Sequence, residues 1–258
     1  MTKIQKVVFF GTPDFAMPVL EALIKNGYNV FHFQSKFLKD EQVFEEFKNL
    51  KPDICIVAAY GKILPSRYLN VPQYGFLNIH PSILPKYRGP SPVQTAILNG
   101  DKETGVSIMV VDAEVDHGPI LAQKTYNLQP TIYNLQASKE LFELGAKLLI
   151  ETIPKYINGK IEVKHQEHKK ATFTKMFKRE DGRINWSESS EKIYNQIRAL
   201  NPEPGTWTIW RDKIINIKKA EIVDGKINIK TIQMEGKKEM PFEEFLRGHS
   251  DFDISQLK

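Results

Sequence analysis

Asn78 and His80 stand two residues apart at the end of the apolar run FLNIH, so a strand there turns both side chains to one face. Pro81, Pro85, Gly89, Pro90 and Pro92 follow within NIHPSILPKYRGPSPVQ and forbid regular continuation, which predicts a stiff, extended loop beside this polar pair. Asp116 stands in a second polar turn, DAEVDHGPI, ahead of another strand. A neutral imidazole can accept a proton at physiological pH, a nearby carboxylate favours its charged form, and a carboxamide is an uncharged donor. Three such groups suit acyl transfer to an amine. Attack on a carbonyl builds an oxyanion that imidazolium and amide stabilise, while the carboxylate helps to move the amine's proton. By residue type alone, turn and capping roles account for the same three side chains. No serine elbow and no H-E-x-x-H metal pattern occurs in the sequence.

The elements that must position these residues can be read from periodicity. Lys6 to Phe10 predicts a strand, Gly11-Thr12-Pro13-Asp14 a turn, and FAMPVLEALIKNG a helix with Asp14 as N-cap and Gly27 as its stop. One glycine in that turn is not the G-x-G-x-x-G fingerprint, so dinucleotide binding there is rejected. Asn29 to Gln34 predicts a second strand. Asp40 to Leu50 predicts an amphipathic helix burying Val43, Phe44 and Phe47. Asp53 to Ala59 is a third strand, nearly all apolar, as expected of one covered on both faces. Its exit, Tyr60 to Pro65, should open at the same sheet edge as the Asn78 loop. A short helix, Val93 to Asn99, ends at Gly100, and strands Gly105 to Val111 and Ile120 to Lys124 flank the Asp116 turn. Helix follows from about Tyr133 to Ile157, with Leu135, Leu141, Leu144, Leu148 and Leu149 as its apolar face. From Ser187 come the helix KIYNQIRAL, the breaker NPEPG and the alternating strands TWTIW, IINIKKAEIV and KINIKTIQM, with Asp224-Gly225 as a hairpin turn. This is an α/β pattern: a Rossmann-like domain with a central, mostly parallel sheet over residues 1–163, a basic linker over 164–186, and a small β-rich domain over 187–258.

Composition narrows the class. The chain has 258 residues, 41% hydrophobic and 26% charged, and its longest apolar pieces, VVFF and ICIVAAY, are far short of the roughly 20 residues that span a bilayer. No signal-peptide core opens the sequence, so a cytoplasmic protein without membrane contact is expected. Cys55 is the only cysteine, which excludes an internal disulfide and a thiolate metal cluster, and its place inside a strand reads as a buried structural thiol. The formal charge is +5. Residues 151–185 hold 9 Lys and Arg against 5 Asp and Glu, whereas residues 186–258 hold 12 against 12, so the excess sits in the linker. Such a strip fits phosphates, and equally fits a solvated connection.

Asn78-x-His80 with Ser82-Ile83-Leu84-Pro85, Arg88-Gly89 and Asp116-His117-Gly118-Pro119-Ile120 closely resembles the signature of the formyltetrahydrofolate-dependent formyltransferase family. Gly11 to Ala16, Ala59 to Pro65 and Gly105 to Met109 extend the resemblance over nearly the whole chain. In that family the Asn, the His and an Asp 38 positions after the Asn form the catalytic trio, and Asn78 to Asp116 is 38. The resemblance implies that His80 polarises the formyl oxygen, Asn78 donates to the oxyanion, and Asp116 pairs with His80 and relays the proton. It further implies 10-formyltetrahydrofolate as co-substrate and no metal, with Ser82, Ile83, Leu84 and Pro85 lining the folate site and Tyr60, Gly61, Ile63, Leu64 and Pro65 the pterin pocket. GTPDFA, DGRINW, NPEPG and EGKKEMPFEEFLRG are most similar to the branch that formylates the α-amine of methionine on initiator tRNA, which implies a C-terminal OB-like barrel, a tRNA partner and a monomer. A small-amine acceptor, such as a nucleotide-linked amino sugar or glycinamide ribonucleotide, is the alternative within the same chemistry.

One departure from the family pattern stands out. Between the first helix and the strand Asp53 to Ala59, members usually carry two strand and helix units joined by a long basic loop that reaches the tRNA acceptor end. This chain has room for one unit, and the basic loop is absent. Phosphate contacts dominate nucleic-acid affinity, so tRNA recognition is expected either to lean on the basic linker or to have been replaced by another acceptor.

Overall fold

The computed structural model describes residues 6–12, 14–35, 37–254 and 257; Pro13 of the first predicted turn lies outside the described residues. The chain divides into two compact units. The first comprises the chain up to Pro92, Glu103–Asn127 and Ser138–Thr174, and the second Val93–Lys102, Leu128–Ala137 and the chain from Lys175 onward. The segment 164–186, read from composition as a linker, is thereby divided between them at Thr174.

The first unit is built on a six-stranded sheet: β1 (Val7–Gly11), β2 (Val30–His32), β3 (Ile54–Ala58), β4 (Phe76–His80), β5 (Glu103–Val110) and β6 (Ile120–Asn127), in the order β2-β1-β3-β4-β5-β6. The first four strands are parallel, with Gly11 level with Ala58 and Ala58 with Ile79, so their exits share one edge. β5 and β6 are antiparallel. Helices α1 (Met17–Lys25), α2 (Glu41–Asn49), α3 (Ser66–Leu69) and α5 (Asn134–Ile157) from Ser138 onward belong to this unit, whereas α4 (Pro92–Leu98) from Val93 onward belongs to the second. α2 starts where Asp40 accepts hydrogen bonds from the backbone of Gln42 and Val43, a side-chain N-cap.

Alternation along β4 separates two environments. Phe76 joins Phe10, Phe33, Phe47, Tyr60 and Tyr68 in an aromatic cluster on the face that, two and four residues further, carries Asn78 and His80. Ile79 points the other way, against α5. A side-chain carbon at Gly145 would come within 2.6 Å of Ile79 and 3.1 Å of Val106, so glycine there lets the helix lie directly on the sheet.

Two expectations change. Asp14 lies in a short 3-10 turn, Asp14–Ala16, and α1 begins at Met17 with Ala16 as N-cap and no side-chain cap. Pro18 explains the shift, because proline is accepted only in a helix's first turn. Leu135 is 54% exposed rather than on the apolar face of α5. Six residues before Leu141, it sits about 240° around the helix, off the stripe that runs through Ala137, Leu141, Gly145 and Leu149. α3 had no expectation at all; it is one turn long, too short for periodicity to mark.

The second unit contains α6 (Ser190–Leu200), with the Ser189 hydroxyl accepting from Lys192 N, then β7 (Thr206–Trp210), β8 (Lys213–Val223), β9 (Lys226–Met234), β10 (Met240–Pro241) and α7 (Phe242–Gly248). The strands form an antiparallel sheet in the order β10-β9-β8-β7. Asp224 and Gly225 both have positive φ, the primed turn that the right-handed strand twist favours and that the sequence signalled. Ile193, Ile197, Ile215, Ile217, Ile229, Ile232 and Phe245 make its core. α7 was not foreseen as a helix, although Phe242, Phe245 and Leu246 carry its spacing.

Candidate active site

Because β4 ends at His80, its two polar residues sit at the shared exit edge, and the loop Pro81 to Ser91 turns back over them. The turn Val111 to Pro119 starts from the far end of antiparallel β5 and folds back over the same face, held by Val110 N donating to Pro119 O at 2.9 Å. Gly118 is needed there, since a Cβ would lie 1.9 Å from Val110 O. This fold-back brings Asp116 to β4 across 38 residues of chain.

The three side chains meet. Asn78 Nδ2 donates to Asp116 Oδ1 at 3.2 Å, and His80 Nδ1 faces Asp116 Oδ2 at 3.5 Å. His80 is 4% exposed, and its Nε2–H donates to Tyr87 O at 2.8 Å. That bond assigns the tautomer: Nε2 carries the hydrogen, and Nδ1 is the nitrogen that faces the carboxylate. Asp116 Oδ2 also accepts from Gly89 N at 2.8 Å. Asn78, His80 and Gly89 thus approach the Asp116 carboxylate from three sides.

The segment read as a linker is what fixes the loop. Thr172 Oγ1 accepts from Tyr87 N at 2.8 Å, Arg88 N donates to Thr172 O at 2.8 Å, and Thr174 N donates to Arg88 O at 2.7 Å, a short parallel pairing around Phe173. Gly89, at φ +108, lies so close to Thr174 that a Cβ would fall 2.8 Å from its hydroxyl. Gln166 is 6% exposed and Arg88 3%. Gln166 Oε1 accepts from Arg88 Nε at 3.0 Å and Nη2 at 2.7 Å, and its Nε2 donates to Asp116 O at 2.9 Å and Gly118 O at 2.7 Å. Arg88 Nη2 also donates to His168 Nδ1 at 2.9 Å, and the His168 ring stacks on His117 at 4.1 Å. None of Gln166, His168, Thr172 and Thr174 was nominated from sequence. The one local signal was Thr172-Phe173-Thr174, a two-residue alternation hidden among lysines.

The residues expected around the folate lie in two places. Ser82 is fully buried and donates to Lys86 O at 2.6 Å; Leu84 is buried with Met109 and Ile120, its N–H on Ser107 Oγ and its carbonyl accepting from Gln123. These two side chains shape the loop, leaving Ile83 and Pro85 half-buried at its surface. Tyr60 is buried in the aromatic cluster and its hydroxyl donates to Ser35 O at 2.9 Å, with burial pushing its pKa up from 10.0. Gly61 takes φ +70, Leu64 packs on the cluster, and Ile63 is 82% exposed. Ile63 and Pro65, with Phe37, Leu38, Lys39, Asp40 and Lys62, line an open cleft of about 490 Å³. Cys55 is fully buried, its thiol pushed well up by burial, as a structural cysteine should be. Among the described residues no cluster of His, Cys, Asp and Glu is arranged to hold a metal, and no helix is long and apolar enough to cross a membrane.

Residues 11–153 match the family model described as formyl transferase, and residues 176–228 that of the formyl transferase C-terminal domain. The methionyl-tRNA formyltransferase of Chloroflexus aurantiacus is 41% identical over 248 residues, covering 84% of this chain and 80% of the relative. That of Thermodesulfovibrio yellowstonii is 35% identical over 294 residues, covering 94% and 95%. This second alignment is longer than the chain itself, so the relative carries internal residues with no counterpart here, in keeping with the single strand and helix between α1 and β3. Among solved structures, the methionyl-tRNA formyltransferase from Clostridium thermocellum matches with a TM-score of 0.72 at 24% identity, over 90% of this chain and 99% of that one. HypX from Aquifex aeolicus in complex with tetrahydrofolic acid matches with 0.77 at 16% identity, over 95% of this chain and 47% of that one.

Proposed function

We propose that this chain, which belongs to the formyl transferase family, transfers the formyl group of 10-formyltetrahydrofolate to the α-amine of methionine carried on initiator tRNA. The observation that carries the chemistry is the convergence of Asn78, His80 and Asp116 at one sheet edge. With Nε2–H held by Tyr87 O, His80 protonated at Nδ1 is a cationic donor. Its 3.5 Å separation from Asp116 leaves that hydrogen available to a substrate oxygen. The amine nitrogen forms a bond to the formyl carbon, and the carbonyl electron pair moves to oxygen, where His80 Nδ1–H and Asn78 Nδ2–H stabilise it. Asp116 takes the proton that the amine loses. The bond to the donor nitrogen then breaks, and that nitrogen leaves with a proton returned from the site. The open cleft beside Ile63 and Pro65, apolar with Lys39 and Lys62 among its residues, suits a flat aromatic ring with an anionic tail. In this reading Gly61, Ile63, Leu64 and Pro65 border the ring, and Tyr60 acts through its hydroxyl by pinning Ser35. Cytoplasmic, monomeric action belongs to the same reading.

The acceptor is supported by the relatives' identity and by the basic residues at 164–183. A second reading, a small amine as acceptor, draws on the single strand and helix between α1 and β3, which leaves no basic loop there. A labelled-formyl assay with methionyl initiator tRNA, uncharged tRNA and small amines separates them. Product with charged tRNA alone is expected; product with a nucleotide-linked amino sugar and none with tRNA would move the assignment to the second reading.

A further inference from the structure

We propose that Gln166 is a positioning residue for the transfer reaction, setting the catalytic carboxylate by gripping the backbone of Asp116. The proposal rests on the reading of Asn78, His80 and Asp116 as the reacting site.

Asp116 has φ +48, a left-handed conformation that a residue with a Cβ adopts only where its surroundings impose it. Its own side chain is committed to Asn78, His80 and Gly89, so the backbone must be imposed by something else. The one described side chain that reaches both ends of this turn is Gln166, whose single Nε2 donates to the carbonyls of Asp116 and Gly118. The other end of the same amide accepts two bonds from Arg88. Arg88 adjoins Gly89, whose N–H returns to Asp116 Oδ2. The result is a closed ring of bonds, from carboxylate to loop to guanidinium to amide and back to the residue that bears the carboxylate. Reversing the amide would set its oxygen against two carbonyls and its NH2 against a guanidinium, so the network admits one orientation. Both Gln166 and Arg88 are almost wholly buried, and water cannot readily replace a lost bond there.

A glutamate at this position has the same shape and separates the two ends of the ring. It keeps the acceptor for Arg88 and replaces the donor facing Asp116 and Gly118 by an oxygen. Displacements near 1 Å at a reacting group can cost on the order of 10²-fold in rate. Gln166→Ala and Gln166→Glu are therefore expected to lower kcat about 10- to 100-fold, with KM for 10-formyltetrahydrofolate within about twofold of the parent. Because Gln166 acts through Asp116, the same substitutions in an Asp116→Asn background should change the single-turnover rate by less than about threefold. Parental kcat in either folded variant would overturn the proposal. So would an undiminished loss in the Asp116→Asn background, which would mean that Gln166 supports the fold and not the carboxylate. A folded parent enzyme that transfers formyl to no amine would overturn the transferase reading first, and this one with it.

Discussion

The first unit holds its two halves by different means. Around β1, β3 and the start of β4, Phe10, Phe33, Phe47, Tyr68 and Phe76 pack ring against ring, with centroid distances from 4.8 to 6.1 Å. Around the end of β4 and the Asp116 turn, a network of hydrogen bonds holds the chain, many of them to backbone groups and many made by residues 166–174. The hydrophobic burial that drives this packing is non-directional, so its failure should appear as lost stability shared by the whole domain. Hydrogen bonds are directional, and one loss displaces a particular atom. The contrast teaches where rate and where stability are stored in this protein.

The strongest way to break that contrast is in the polar half. His80→Ala is expected to abolish formyl transfer, and Asn78→Ala to lower kcat about 10² to 10³-fold, the effect of losing one oxyanion donor, with thermal melts near that of the parent. A melt that collapses with the rate would erase the distinction. In the aromatic half, Phe47→Ala should cost about 3–5 kcal/mol in denaturant unfolding, as for a large core ring, while the rate per folded molecule stays at the parental value. A selective loss of rate would mean that the aromatic cluster also tunes the site.

Smaller effects sharpen the picture at the basic segment. Charge reversal at Lys169, Lys170, Lys175 and Lys178 should raise KM for tRNA several-fold and flatten its salt dependence, if phosphate contacts are made there. Unchanged salt dependence would assign these lysines to solvation, a role their ion pairs already share, since Lys170 pairs with Glu167 and Lys175 with Asp181. The Lys175 hydrogen bond and the Lys178 backbone N–H hold Asp181 below its ordinary carboxylate value of 3.8. A depressed folded pKa contributes stability that is present above 3.8 and is lost as pH falls through the lower, folded value. Asp181→Asn should therefore narrow the gap between neutral and acid stability by a small amount, this being a largely exposed pair; an equal acid sensitivity in parent and variant would remove the contribution.

Much of this architecture was legible in the chain. The strands ending at Gly11 and Ala58 are continuous apolar runs, and Asp224-Gly225 is a turn that only certain residues can make. Asn78 and His80 share a face because strands alternate, and both approach Asp116, 38 residues after Asn78. What escaped was of another kind. Leu135 looked apolar enough for the helix stripe but lies off it, and Asp14 looked like a cap until Pro18 set where the helix could begin.

By itself the sequence determined most of the apolar strands and helix faces, several of the turns, and the three side chains proposed for the chemistry. Only the tertiary structure decided what holds them in place. Residues 164–174 have the composition of a solvated connection, yet they pair with the loop from Pro81 to Ser91, and Gln166 reaches Asp116 across 50 residues and Arg88 across 78. Periodicity records how much apolar surface a segment must hide, and so it places strands and helices. A hydrogen bond between distant residues depends on the direction of one donor toward one acceptor, and no local pattern of residue types encodes that direction.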